Sequence, residues 1–187
     1  DRSNLRHAAA LKEADWQAKR VLSIVQEEGI PPAGAVSLLR KDRENRGRNL
    51  FAAQCASCHR YNGHDGRGYP VDDTQSAPEL AGFASVEWIT KLLDHEHYIS
   101  DEYFGGTDFK NGTMARKVLF KYTSEEKELL PRIAVLLSDM AKLPYQDSLP
   151  EKEREELLAL FYNDDLVFQD GLACIDCHDI DSEEEGY

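Results

Sequence analysis

The sequence lacks the features that mark two large classes of protein. Its apolar runs are short, such as residues 133–137, whereas a helix that spans a bilayer needs roughly 20 consecutive apolar residues. Basic residues are few, 22 against 35 acidic ones, which gives a formal net charge of −13. Such a surface repels nucleic acid and anionic membranes and attracts basic protein patches. We therefore expect no transmembrane segment and no nucleic-acid partner.

Cysteine is scarce as well, and its positions are informative. All four cysteines lie in two Cys-x-x-Cys-His motifs, at residues 55–59 and 174–178, so none is left for an ordinary disulfide. In this motif each thiol forms a thioether to a haem vinyl group, and the adjacent imidazole binds the iron. The sequence therefore predicts two c-type haems. The predicted thioether cysteines are Cys55, Cys58, Cys174 and Cys177, and the predicted iron ligands are His59 and His178.

Two other kinds of site also use Cys-x-x-Cys. A zinc site would require the two distant pairs to converge, and it would leave the adjacent histidines without a role. A redox disulfide of the thioredoxin kind follows a strand in a βαβ unit, whereas both flanks here have a helical pattern. Haem attachment remains the favoured interpretation.

The pattern of apolar residues predicts an all-α fold. A helix from Ser3 to about Glu28 precedes a Pro-Pro connector, and a second helix runs directly into residues 55–59. Ser85 is expected to cap a short helix, and Ser124 to open a longer one that ends before Pro144, with a loop at about 95–112 between them. A last helix starts near Pro150. The predicted domains are 1–40 (helix and connector), 41–145 (first haem domain) and 146–187 (start of a second haem domain).

The sixth ligand of the first haem iron is expected downstream of the motif. Met114 is the leading candidate, because it is expected in a loop between helices, whereas Met140 fits the apolar face of a helix. His95 and His97 compete with it, since either imidazole could bind iron. His64 and His7 are interpreted as structural or surface residues.

No Met or His follows His178 in the sequence. The second iron is therefore five-coordinate, takes a ligand from elsewhere, or belongs to a truncated unit, and truncation is the preferred explanation. Because the chain also begins at Asp1 without a leader, we expect a mature protein or a fragment of a longer one. The acidic residues 179–185 are interpreted as a solvated tail.

From Arg46 to about Leu143 the chain resembles a class I cytochrome c domain. The resemblance rests on the helix into residues 55–59, on Ala-Pro-Glu-Leu at 77–80, on Ser-Val-Glu-Trp-Ile at 85–89, on Met114 and on the final helix. It implies that the carbonyl of Pro78 orients the imidazole of His59. The sequence departs from the family where Ala77 replaces the usual Gly, and where Ala115 follows Met114 in place of a frequent Pro.

The order of the parts, with a connector at 29–35 leading into one haem domain and then another, is similar to the dihaem tails of bacterial cytochrome b/c fusion proteins in bc-type quinol-oxidising complexes. This resemblance implies a periplasmic or equivalent location. The implied partners are an iron-sulfur protein or cytochrome b subunit and a basic soluble carrier. A dihaem peroxidase-like enzyme, or a sensor that binds a gas at an open second haem, is the alternative.

Overall fold

The computed structural model describes residues 2–71, 76–144, 148–162, 174, 177 and 178. Within these ranges every regular element is helical, and β pairing is limited to isolated bridges among residues 61–70. The predicted all-α class is therefore confirmed. The α-helices are α1 (Arg2–Glu28), α2 (Val36–Lys41), α3 (Arg43–Gln54), α4 (Val86–Leu92), α5 (His95–Tyr98), α6 (Ser124–Met140) and α7 (Glu151–Tyr162). A 3₁₀ turn (Asp108–Asn111) and a π-helix (Met114–Leu119) lie between α5 and α6.

Local sequence signals explain where these helices begin and end. Helix α1 stops at Gly29, whose φ of +78° is accessible to glycine at little cost. The Oγ of Ser85 accepts the N–H of Trp88 at the start of α4, as the sequence predicts. Thr123 and Glu126 form a capping box at the start of α6. The predicted loop at 95–112 is wrong in detail, because Asp94 caps the short helix α5 within it.

The chain forms two compact units, Asp1–Ala81 and Gly82–Tyr187. In the first unit, ion pairs made by Arg20 and Glu13 hold α1 against the rest of the unit. Arg20 of α1 binds Asp42, the N-cap of α3, at 2.6 Å, and Glu13 binds Arg48 of α3 at 2.7 Å. The side chains of Asp42 and Glu13 are only 5% and 9% exposed. Helix α1 is therefore an integral part of the unit that carries the first motif.

The second unit is built around α6. Among its described residues, Leu119, Ile133 and Leu136 are the largest fully buried side chains, and Leu157 and Phe161 of α7 join the same core. Helix α7 is fixed to α6 by Asp139, whose carboxylate accepts hydrogen bonds from Arg154 at 2.8 Å and from the backbone of Leu149 at 2.7 Å. The chain that leads towards the second motif thus starts from a helix packed on this core.

No helix within the described residues is long and apolar enough to cross a membrane. The boundary between the compact units lies inside the predicted domain 41–145. Units defined by compactness need not coincide with family domains, so the predicted boundaries stay predictions.

Candidate haem attachment site

The first motif continues from the end of α3 as a hydrogen-bonded turn. The N–H of Cys55 donates to the carbonyl of Phe51 at 2.8 Å and closes the helix. The N–H groups of Cys58 and His59 then both donate to the carbonyl of Cys55, at 3.0 and 2.8 Å. This turn brings the two cysteines and the histidine together at the helix end, where the sequence predicts the site.

Both thiols of the first motif are free of disulfide bonds. Cys55 is half-buried and Cys58 is exposed. Hydrogen bonds with the side chains of Ser76 and, to a lesser extent, Ser57 lower the pKa of the Cys58 thiol. Because the thiolate is the nucleophilic form of cysteine, the lowered pKa favours covalent chemistry at Cys58.

The imidazole of His59 is oriented by a backbone carbonyl. Its Nδ1 lies 2.7 Å from the oxygen of Pro78, which is the contact that the family resemblance implies. A carbonyl oxygen only accepts hydrogen bonds, so Nδ1 carries the proton and Nε2 keeps a free lone pair. That tautomer is the one in which His59 can bind a metal through Nε2.

The segment that follows His59, residues 61–69, is held by hydrogen bonds among its own residues. Asn62 and Gly63 form a two-residue turn with positive φ at both positions, 52° and 75°, closed by the N–H of Tyr61 donating to the carbonyl of His64 at 2.8 Å. The carboxylate of Asp65 accepts from the backbone N–H groups of Arg67 and Tyr69. These hydrogen bonds fix the conformation of residues 61–69.

This loop packs on α3. A Cβ at Gly66, whose φ is +84°, would lie 3.0 Å from the ring of Phe51, so only glycine fits there without displacing the ring. Arg48 donates from Nε to the carbonyl of Gly66 at 3.1 Å and from Nη2 to that of Arg67 at 3.2 Å. The same guanidinium lies 3.7 Å above the ring of Trp16 in α1. Arg48 thus joins α1, α3 and the loop that follows the motif.

Met114 is the first residue of the π-helix Met114–Leu119, so the expectation that it lies in a loop is wrong. Its side chain is partly buried against the core of the second unit, and the adjacent Ala115 is fully buried. The buried methyl group of Ala115 fixes the backbone next to Met114. π-Helical turns occur frequently at functional sites, because the extra residue per turn redirects a side chain.

The other histidine candidates have structural contacts. Nδ1 of His64 accepts the N–H groups of Gly66 at 2.9 Å and Gly68 at 3.2 Å, which agrees with its interpretation as a structural residue. His97 contacts its own helix cap, Asp94, at 2.7 Å. The ring of His95 lies edge-on to that of Phe120, at 5.1 Å between centroids. Whether His95 or His97 binds iron stays an open prediction.

The second motif is described at Cys174, Cys177 and His178. The N–H groups of Cys177 and His178 donate to the carbonyl of Cys174, at 3.2 and 2.8 Å, as in the first motif. Cys174 is half-buried against the core of the second unit, and this burial raises the pKa of its thiol. Burial also raises the pKa of Tyr122, with a smaller contribution from Cys174. The predicted acidic tail, 179–185, lies outside the described residues.

Comparison with known protein families gives an independent result for the middle of the chain. Residues 44–130 match the family model for cytochrome c. The cytochrome c match covers somewhat less than half of the chain and includes the first motif, Pro78 and Met114, whereas the second motif lies outside it. No curated protein and no solved structure gives a significant match to the chain.

The matched segment supports a class I cytochrome c domain with covalently bound haem c, and with it haem-based electron transfer. The residues present fit that cofactor: two free thiols share one turn with an imidazole whose Nε2 is available. Haem supplies an iron that changes oxidation state by one electron, and the protein sets its potential through ligands, hydrogen bonds and burial. Among the described residues no group of three or more His, Cys, Asp or Glu side chains could hold a metal ion by itself.

Sequence reasoning missed two residues that shape the first site. Glu79 contacts the turn after His59, and Arg48 fixes the loop from the other side. The Asn-Gly pair at 62–63 is a recognised turn signal that could have predicted the ordered loop. In the loop, Glu79 binds backbone groups 16 and 17 residues earlier and Arg48 binds carbonyls 18 and 19 residues later, so no local sequence pattern marks them.

Proposed function

We propose that this protein transfers single electrons through two covalently attached c-type haems, one held by residues 55–59 and one by residues 174–178. The supporting observation is that both motifs form the same turn, in which the second cysteine and the histidine donate to the carbonyl of the first cysteine at 2.8–3.2 Å. In such a turn two thioethers can anchor the porphyrin while the histidine binds its iron. The roles are those predicted: Cys55, Cys58, Cys174 and Cys177 as thioether residues, and His59 and His178 as axial ligands.

We assign Met114 as the second axial ligand of the iron bound by His59. Its position at the start of a π-helix, next to the fully buried Ala115, gives the thioether a fixed backbone to project from. Methionine–histidine ligation raises the reduction potential relative to two histidines. A high potential suits a carrier that receives electrons late in a chain.

In the wider context, we propose that the protein is the soluble part of a quinol-oxidising respiratory complex in the periplasm or an equivalent compartment. The proposal rests on the similarity in the order of parts to cytochrome b/c fusion tails. The net charge of −13 would attract a basic soluble carrier and speed the encounter at low salt. Electrons would enter from an iron-sulfur protein or cytochrome b subunit.

The number of haems is the first quantity to measure. The chain is produced in a host that attaches c-type haem, and a reduced pyridine-haemochrome spectrum is quantified against protein concentration. We expect two haems per chain for the wild type. The paired variants Cys55→Ala/Cys58→Ala and Cys174→Ala/Cys177→Ala should each retain one, because each motif attaches its haem independently.

The paired variants are matched controls for each other, since each leaves the other motif intact. One haem per wild-type chain, unaffected by the second pair of substitutions, would overturn the dihaem proposal. If two haems are present and the second reacts rapidly with peroxide or binds carbon monoxide tightly, the peroxidase-like or sensor alternative replaces simple electron transfer.

A further inference from the structure

We propose that Glu79 is a positioning residue for the iron ligand His59, acting through the carbonyl of the adjacent Pro78. The proposal rests on the proposed role of His59. Glu79 directly follows the residue that accepts the hydrogen bond of the imidazole, and its carboxylate is bonded to the turn that follows the motif. We name the contact of Glu79 with the backbone of Asn62 and Gly63 the Glu79 clasp.

The clasp consists of hydrogen bonds from backbone N–H groups to a carboxylate. Oε1 of Glu79 accepts from Asn62 at 2.5 Å, and Oε2 accepts from Gly63 at 3.0 Å. Oε1 also accepts the N–H of Ala81, in the same segment as Glu79, at 3.3 Å. Hydrogen bonds to an ionised carboxylate are stronger than those between neutral groups. Each carboxylate oxygen therefore holds one residue of the turn.

The conformation of the turn explains why both N–H groups reach the same side chain. With positive φ at Asn62 and Gly63, the two successive N–H groups point out of the turn on the same side. Asparagine and glycine are the residues that adopt this conformation most readily. The sequence thus provides a small anion-binding turn three residues after the iron ligand, and Glu79 is the anion.

The clasp belongs to a short ladder between the two chain segments. His59 Nδ1 meets the oxygen of Pro78 at 2.7 Å, and the N–H of Leu80 donates to the carbonyl of Arg60 at 2.9 Å. The clasp adds bonds from residues 62 and 63 to Glu79, which lies between Pro78 and Leu80. Pro78 itself has no N–H and cannot fix its own position by donating. Its carbonyl is therefore held by the bonds of the two residues that follow it, Glu79 and Leu80.

The position of that carbonyl affects the chemistry of His59. A short Nδ1–H···O=C bond makes the imidazole a stronger electron donor to a metal at Nε2, which favours the oxidised state. Loosening the clasp would lengthen this bond and weaken the donor. The expected results are a higher reduction potential and a more rapidly exchanging Nδ1 proton, without loss of the haem.

Two neutral substitutions separate the hydrogen bonds from the charge. Glu79→Gln keeps one acceptor oxygen, whereas Glu79→Ala keeps none, and both remove the same negative charge. Each is made in the full haem-loaded chain, and the reduction titration is resolved into its one-electron transitions. The Nδ1–H exchange rate of His59 is measured by NMR. As a matched control, Glu87→Gln and Glu87→Ala are made on α4, where Glu87 is exposed and pairs with Lys91.

We expect the reduction potential of one transition to rise from wild type to Glu79→Gln and again to Glu79→Ala. The Nδ1 proton of His59 should exchange about tenfold faster in Glu79→Ala than in wild type, because the charged hydrogen bonds are lost. The two Glu87 variants should match each other. Equal potentials and exchange rates for the Gln and Ala variants of Glu79, with the haem attached, would overturn the positioning role.

A wild-type chain without haem at residues 55–59 would instead overturn the proposed function, which is a distinguishable result. If Glu79→Ala fails to fold, the test is the comparison of Glu79→Gln with wild type. The change measured for Glu87→Gln then gives the effect of removing one negative charge, and it is subtracted. In that comparison a faster-exchanging Nδ1 proton supports the proposal, and an unchanged exchange rate contradicts it.

Discussion

Replacing Arg48 by methionine tests how α1 is held in the first unit. Methionine keeps a similar length and apolar stem but removes the guanidinium, which binds Glu13 at 2.7 Å and two loop carbonyls at 3.1 and 3.2 Å. The guanidinium of Arg48 also lies over the ring of Trp16. The substitution would leave the Glu13 carboxylate, whose side chain is 9% exposed, without its counter-charge.

The expected loss of stability in Arg48→Met follows from the burial of the Glu13–Arg48 ion pair. Removing one partner of a buried ion pair costs about 3–5 kcal/mol. The side chain of Arg48 is itself 20% exposed, so water compensates part of the loss. We therefore expect the free energy of unfolding to fall by about 3 kcal/mol, near the lower end of that range. The measurement is the denaturant midpoint of the full chain, followed by helical circular dichroism.

A double-mutant cycle with Glu13→Gln isolates the pair. Because Glu13 and Arg48 are in direct contact, we expect a coupling free energy of about 1–3 kcal/mol. Asp15→Asn is the matched control on the same helix, since its pair with Lys19 is 62% and 75% exposed and should contribute under about 0.5 kcal/mol. A coupling energy no larger than that of the control would refute the view that this cluster anchors α1.

The remaining predictions concern Asp139 and Met114. The hydrogen bond from Arg154 lowers the pKa of Asp139, so its contribution to stability is present above the unfolded carboxyl pKa of about 3.9 and is lost as the pH falls through the lowered native value. We expect Asp139→Asn to reduce the fall in denaturant midpoint between about pH 5 and pH 2; an unchanged pH profile would contradict this. Met114→Ala should abolish the methionine-to-iron charge-transfer band and lower the potential of one haem, whereas Met140→Leu, at the only other methionine, should leave both unchanged. Loss of the band in the Met140 variant alone would reverse the assignment.

The helices were largely predictable because their signals are local. Apolar spacing predicts α1, α3 and α6, and short polar side chains at Ser85 and Thr123 supply the caps seen in the structure. The π-helix at Met114 was not predictable, because a π-turn differs from an α-turn by the insertion of one residue and depends on packing around the fully buried Ala115.

The first haem site also has a part that the sequence predicted and a part that only the fold shows. Cysteine spacing and the adjacent histidine are covalent requirements of the cofactor, so the sequence alone determined Cys55, Cys58 and His59 as candidates and, with the family resemblance, Pro78. The tautomer of His59, by contrast, depends on a carbonyl nineteen residues later in the chain. Only the fold could show that this carbonyl lies within hydrogen-bonding distance.

By itself, then, the sequence determined the helical class, the two cysteine motifs and the acidic surface, since these depend on residue type and near-neighbour spacing. The tertiary structure alone decided that Arg48 of α3 pairs with Glu13 of α1, that α7 is fixed to α6 through Asp139, and that Glu79 holds the turn after His59. The physical reason is the same for all three. A carboxylate or guanidinium has many possible partners in a sequence with 30% charged residues, and only the folded backbone selects among them.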